Sequence, residues 1–216
     1  SPEPIHPERA VTEIREEPVF IALLWLVLAI WGISALWVYS QRAGGFSSVP
    51  DFWPEQSSLP AAEGVQLLMF VHPRCPCSRA SLGELAVLMR NCQQGLSARV
   101  LFISPTGQSI EWVRSSLWAQ AKQIPNVSVE LDVNAMEAKR FGAEVSGATL
   151  VYGAQGELLF HGGITASRGH YGDNMGRLAI QQLSMGRETV SETAVFGCPL
   201  NDVSCGGGEF TTTSQM

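Results

Sequence analysis

Two cysteines stand one residue apart in the string His72-Pro73-Arg74-Cys75-Pro76-Cys77-Ser78-Arg79. A thiol attacks a disulfide or binds a soft metal as its thiolate, so whatever removes its proton decides what it can do. Before the string runs Val65-Gln66-Leu67-Leu68-Met69-Phe70-Val71, an apolar stretch of strand length. After it, Leu82, Leu85, Ala86, Leu88 and Met89 recur at helical spacing. The pair is therefore predicted on a strand-to-helix turn. Backbone N–H groups at a helix start lack partners and carry partial positive charge, which favours a thiolate. Arg74 and Arg79 act in the same direction. The pattern predicts a redox site, with Cys75, nearer the strand end, as the attacking thiol and Cys77 as the resolving one.

The spacing shapes that chemistry. A disulfide prefers a dihedral of about ±90°, and closing one across a single residue makes a small, strained ring. Strain makes such a bond easier to reduce, which moves the couple toward oxidant or isomerase behaviour. Pro76 restricts the backbone between the two thiols. The same thiolates with a histidine would suit Cu(I) or Zn, so a copper-binding protein is the alternative to a redox enzyme. The chain has five cysteines, so at most four can pair within it. Cys92 is predicted as a small residue at the end of the first helix. Cys198 and Cys205 are expected to bridge each other; the other options make Cys198 a resolving thiol for Cys75 and Cys77, or leave both free.

These residues need a frame. The formal net charge of −6 leaves no basic stripe for phosphates, which argues against nucleic acid as a partner. Residues 1–18 form a polar, glutamate-rich arm. Val19–Tyr39 contains no charged residue and has the length needed to cross the hydrocarbon core as a helix. It is predicted as an uncleaved membrane anchor, with Trp37 and Tyr39 at the water boundary. Arg9 and Arg15 precede it and only Arg42 follows closely, which puts the N-terminus in the cytoplasm. Disulfide chemistry belongs outside the cytoplasm and agrees with that orientation. Residues 40–64 carry Gly44-Gly45, Pro50, Pro54 and Pro60 and are expected to be a linker. From Val65 strands and helices alternate: strand Val65–Val71, helix Ser78–Asn91, strand Arg99–Ser104, helix Ser109–Gln123, strand Val127–Asp132 and a short helix Ala135–Phe141. Strands Thr149–Tyr152 and Leu158–His161 follow, joined by a glycine-bearing turn, and a last helix starts at Asp173 as its cap. This is one compact α/β domain over residues 65–187, followed by a tail over 188–216.

The order of elements, with cysteines on the first strand-to-helix turn, resembles the thioredoxin fold over about residues 65–187. Joined to an anchor, the chain resembles the membrane-tethered thioredoxin-like proteins of bacterial envelopes. The strings HPRCPCSRAS and GGITASRGH are most similar to RedB-like proteins. The resemblance implies a thiol–disulfide oxidoreductase without a cofactor, on the periplasmic side of the bacterial inner membrane, acting on protein thiols or disulfides. It also admits an envelope copper chaperone using Cys75, Cys77 and His170. A third implication is an accessory subunit of a larger membrane complex. Two departures stand out. The family's usual Cys-x-x-Cys is one residue shorter here. Where the family has a cis-proline, this chain has Ser146-Gly147-Ala148-Thr149. A cis bond before a non-proline residue costs about 2.5–4 kcal/mol, so the Gly147–Ala148 bond is expected to be trans and the substrate groove beside Ala148 and Thr149 reshaped. In this fold the second hairpin strand returns to the cysteine edge. The loop Gly162–His170 should emerge there, bringing Arg168 and His170 within reach of Cys75.

Overall fold

The computed structural model describes residues 16–61, 64–92 and 95–202. Most of the N-terminal arm, and the tail from 203 on with Cys205, lie outside the described residues. The chain forms two compact units, residues 1–39 and 40–216.

The first unit is dominated by helix α1 (Glu16–Ser40). Its stretch Pro18–Ser40 has a mean hydropathy of 2.6 and is long and apolar enough to cross a membrane. Its large side chains, Phe20, Trp25 and Trp31 among them, are exposed rather than packed in a core. A helix apolar on all sides suits lipid better than water.

The second unit is built on a five-stranded sheet. In chain order the elements are β1 (Val65–Val71), α2 (Ser78–Asn91), β2 (Leu96–Ser104), α3 (Ile110–Val113), α4 (Ser116–Lys122), β3 (Val127–Val133), α5 (Met136–Arg140), β4 (Ala148–Tyr152), β5 (Leu158–Gly162) and α6 (Met175–Ser184). The strand order is β3-β2-β1-β4-β5. Strands β1, β2 and β3 run parallel; β4 is antiparallel to β1, and β5 to β4. β1 is central and apolar because both its faces are covered. Leu67, Met69 and Val71 enter one core with Leu82, Leu85 and Leu88 of α2, Leu117 of α4 and Ile180 of α6. Leu68 and Phe70 enter the other, with Leu101, Phe141, Leu150 and Tyr152.

That second core explains why the flanking segments are folded. Among the described residues its only helix is α5, five residues long, which cannot cover a five-stranded sheet. Residues from 40–64, expected as a linker, complete the cover. Leu59 is buried, and Trp53 meets Phe141 and Tyr152 edge-on at centroid distances of 5.1 and 5.3 Å. Phe52 remains exposed. From the tail, Val195 and Leu200 are buried in the same core. Isolated bridges join Gly44 to Val195, Phe46 to Ala143 and Val145 to Pro199.

The helix expected over Ser109–Gln123 is two helices. Ser109 caps α3, accepting from Trp112 N–H at 3.3 Å, and Ser115 turns extended before α4. Serines favour such boundaries over helix interiors. The cap of α6 is Asn174 rather than Asp173: its side chain accepts from Arg177 N–H at 2.8 Å, while Asp173 pairs with the Arg177 side chain at 2.7 Å. Arg177 also reaches the buried Glu84 of α2 at 3.0 Å, and Glu84 accepts the N–H of Gly172 at 2.8 Å. This network ties the glycine-rich loop after β5 to the first helix of the fold.

Candidate functional site

The cysteine turn leaves the C-terminal end of β1, as the apolar run and the helical periodicity predict. Cys75 N–H donates to His72 O at 3.1 Å and Ser78 N–H to Cys75 O at 3.1 Å, closing the turn. Cys77 is the cap residue of α2, already helical at φ −64° and ψ −29°. Cys75 is fully buried; Cys77 is half-buried; Arg74, Pro76 and Arg79 are exposed. A cleft of about 380 Å³ runs past Arg74, Pro76, Arg79 and Ser115–Leu117, with Cys75 on its lining. Arg74 stands over the Trp112 ring, 5.6 Å from its centre.

The sulfur nearest Cys75 belongs to a residue 123 positions away. Cys198 Sγ lies 3.0 Å from Cys75 Sγ. The two are not bonded covalently, and either can hold the proton between them. The Cys75 thiol is driven far below its ordinary value. The hydrogen bond from Cys198 contributes most, then the one from Cys77; burial opposes them, and Ser78 and the Cys198 backbone add to the lowering. Cys77 is raised. Its hydrogen bond with Cys198 lowers it, but the bond to Cys75, burial and the charge of the Cys75 thiolate outweigh that, with Arg168 opposing them. The two cysteines of the turn are thereby separated into one that ionises readily and one that does not.

A buried serine pair supports the thiolate. His72 N–H donates to Ser146 Oγ at 2.8 Å, and Ser146 Oγ and Ser78 Oγ are 2.6 Å apart. Either serine can donate to the other, and Ser78 also lowers the Cys75 pKa. The two hydroxyls thus link the His72 backbone to the cysteine turn. His72 itself is buried and its pKa lowered, first by burial, with Cys75 and Asp202 opposing. Its Nδ1 accepts Arg74 N–H at 3.2 Å, which places the proton of the neutral ring on Nε2.

The remaining predicted residues divide. Arg168 reaches the site: its Nη1 donates to Gly197 O at 2.5 Å, and its charge acts on Cys77. His170 is exposed, and among the described residues it makes no contact with the cysteine turn. Nor do any three His, Cys, Asp or Glu groups there form a metal-binding cluster. The copper set Cys75, Cys77 and His170 is thus not assembled among the described residues. The Gly147–Ala148 bond is trans. Ala148 and Thr149 are fully buried, Ala148 pairing with Phe70 and Thr149 Oγ1 donating to Gly147 O at 3.1 Å. Cys92 is buried at the end of α2, with the Ser184 hydroxyl 3.2 Å away. Ser146 and Cys198 carry much of the site and neither forms a motif with the cysteine turn, whereas Ser78 follows Cys77 directly. Only the apolar Val195, Phe196 and Leu200 around Cys198, in an otherwise polar tail, mark that segment as docked.

A central β1 flanked by β2 and β4, an antiparallel β4–β5 hairpin and cysteines at the β1–α2 turn define a thioredoxin-like fold, with an N-terminal apolar helix ahead of it. No family model matches the sequence, and no curated protein matches it. Among solved structures the chain is similar to an uncharacterized conserved protein from Geobacillus kaustophilus. The two align with a TM-score of 0.54 at 15% identity, over 76% of this chain and 94% of that one. It is similar also to a hypothetical protein from Sinorhizobium meliloti, with a TM-score of 0.53 at 18% identity, over 76% of this chain and 97% of that one. These likenesses concern the fold. A secreted Mycobacterium tuberculosis disulfide oxidoreductase aligns with a TM-score of 0.41 at 13% identity, over 58% and 84% of the two chains, too loosely to argue from.

Proposed function

We propose that this chain is a membrane-anchored thioredoxin-like thiol–disulfide oxidoreductase whose domain faces the periplasm. The observation that carries the reading is the Cys75 sulfur. It sits at the β1–α2 turn, within hydrogen-bond reach of two other thiols, at the end of a buried serine chain that favours its thiolate. Disulfide exchange needs a stable thiolate with a second thiol at hand, and both are present. The apolar helix Pro18–Ser40 supports the anchor, and the redox chemistry supports the periplasmic side. Partners are protein thiols or disulfides, and the chemistry takes no cofactor. Arg168 adds positive charge at Cys77, Arg74 stands beside the turn over Trp112, and Pro76 stiffens the turn. Ala148 and Thr149, closed off beneath the surface, set the site's floor rather than an open groove.

The test is exchange with a model dithiol and with oxidised glutathione, using the full chain in detergent. Cys75→Ser is expected to lower the exchange rate at least tenfold, while Cys92→Ser leaves it unchanged. Equal rates in wild type and Cys75→Ser would end the oxidoreductase reading.

A further inference from the structure

Two thiols at this site reach the surface, Cys77 and Cys198, and neither is the one whose proton is most easily lost. Cys75 has no exposed surface, whereas Cys198, 3.0 Å from it, is half-buried and is followed by the exposed Pro199. Three hydrogen bonds fasten the segment around Cys198. Ser146 N–H donates to Cys198 O at 2.8 Å, and Leu200 N–H to Glu144 O at 2.8 Å. Val145 pairs with Pro199, and Arg168 holds the Gly197 carbonyl. Gly197 makes the close approach possible, since a Cβ there would lie 1.9 Å from Ser146 O. So the tail is seated by specific contacts that deliver one sulfur to another.

Resting on the oxidoreductase reading, we infer that Cys198 exchanges with disulfides arriving from solvent and that Cys75 is its buried partner, so that the working couple is Cys75–Cys198 rather than Cys75–Cys77. Thiol–disulfide exchange runs through an attacked sulfur with the incoming and departing sulfurs on opposite sides. Cys198 has solvent before it and Cys75 behind it. One proton is shared between the two sulfurs. When it sits on Cys75, the Cys198 thiolate attacks a partner disulfide R–S–S–R′, forming Cys198–S–S–R and releasing R′S⁻, which takes up a proton. Cys75 then gives up its proton and attacks Cys198 Sγ, forming the Cys75–Cys198 disulfide and releasing RS⁻, which is protonated. Two thiols of this chain are oxidised and the partner's disulfide is reduced to two thiols. In reverse, a partner thiolate attacks Cys198 from solvent and Cys75 departs. A thiol of low pKa is the better leaving group, so the lowered Cys75 value directs the partner to Cys198. Cys77 is less suited to pair with Cys75: it is held in the helical conformation of the α2 cap with a single residue between them, whereas Cys198 comes from a separate segment 123 positions away.

The experiment treats the reduced full chain in detergent with oxidised glutathione, then maps cysteines by non-reducing digestion and mass spectrometry. Wild type should yield the Cys75–Cys198 bridge. Cys75→Ser should stop at a glutathione adduct on Cys198. In Cys198→Ser the rate of glutathione consumption should fall at least tenfold, and in Cys77→Ser less than threefold. Gly197→Ala, which unseats the segment, should speed alkylation of Cys75 by iodoacetamide at least fivefold and slow bridge formation. A Cys75–Cys77 or Cys198–Cys205 bridge as the main wild-type product overturns the inference. So does a Cys75→Ser adduct on Cys77, or wild-type Cys75 alkylated as fast as Cys198. If Cys198→Ser keeps the full rate while Cys75→Ser loses it, the inference fails and the oxidoreductase reading stands. If neither changes the rate, both fail.

Discussion

Ser146→Ala removes one oxygen and breaks the buried chain at its middle. Ser146 is 1% exposed and His72 is fully buried, so water cannot replace the missing acceptor without opening the core. The His72 N–H loses its acceptor at 2.8 Å. A buried donor left without a partner costs about 1–3 kcal/mol. The neutral bond to Ser78 at 2.6 Å goes as well, which is worth about 1 kcal/mol. The expected loss of stability is therefore roughly 2–4 kcal/mol. For a domain of this size that lowers the unfolding midpoint by roughly 4–16 °C. The backbone N–H of residue 146 still holds Cys198, so the tail stays seated. The Cys75 pKa should rise, because Ser78, which lowers it, loses the neighbour that holds its hydroxyl in place. It should remain below the ordinary thiol value, since Cys198 and Cys77 contribute more to the lowering than Ser78. Thermal unfolding followed by circular dichroism, and titration of the thiolate absorbance under reducing conditions, measure both effects. An unchanged midpoint, or a Cys75 pKa that falls, would refute the role of the serine pair.

Three further outcomes are expected. Trp53→Ala removes a half-buried ring from its contacts with Phe141 and Tyr152 and should cost roughly 2–4 kcal/mol in urea unfolding; a loss under about 0.5 kcal/mol would mean that the segment is not docked. The Cys75 pKa is lower in the folded than in the unfolded chain, so the thiolate stabilises the fold fully above about pH 8.5, and that contribution is lost as pH falls through the folded value. Wild type minus Cys75→Ser, measured reduced, should therefore gain up to about 1.4 kcal/mol per pH unit within that window, and a flat difference would contradict it. Gln56→Cys, at an exposed position and on a background without other cysteines, should react with a membrane-impermeant maleimide in intact spheroplasts; reaction only after lysis would place the domain in the cytoplasm.

The parts of the fold legible in the sequence are those whose signal is local. β1 and α2 begin and end where the apolar run and the helical spacing place them, because β1 is one uninterrupted apolar run buried on both faces and α2 one uninterrupted helical pattern. The break between α3 and α4 escapes that reasoning: Ile110, Val113, Leu117 and Ala121 keep helical spacing straight across Ser115. At the site, the reactive turn follows from two cysteines before a helix. The loop after β5 brings Arg168 to the Gly197 carbonyl beside Cys198, whereas His170, two residues on, is exposed. The Ser78–Ser146 pair and the Cys75–Cys198 contact join residues 68 and 123 positions apart, and no periodicity reports such distances. Serine and glycine in a tail suggest a loose segment, and only the packing demand of the sheet's second face reverses that reading.

That packing demand bears on how the domain can be handled. A recombinant fragment trimmed to residues 65–187, where the alternating pattern starts and stops, would shed Leu59, Val195 and Leu200 together with the Trp53 ring. Phe141, Leu150 and Tyr152 would then stand at the surface as a contiguous greasy patch, the kind that drives self-association and inclusion bodies. Soluble expression without the anchor requires the chain to begin near residue 40 and to run past Leu200. The same boundaries keep Cys198, so a fragment trimmed for convenience would be both insoluble and stripped of one of its thiols.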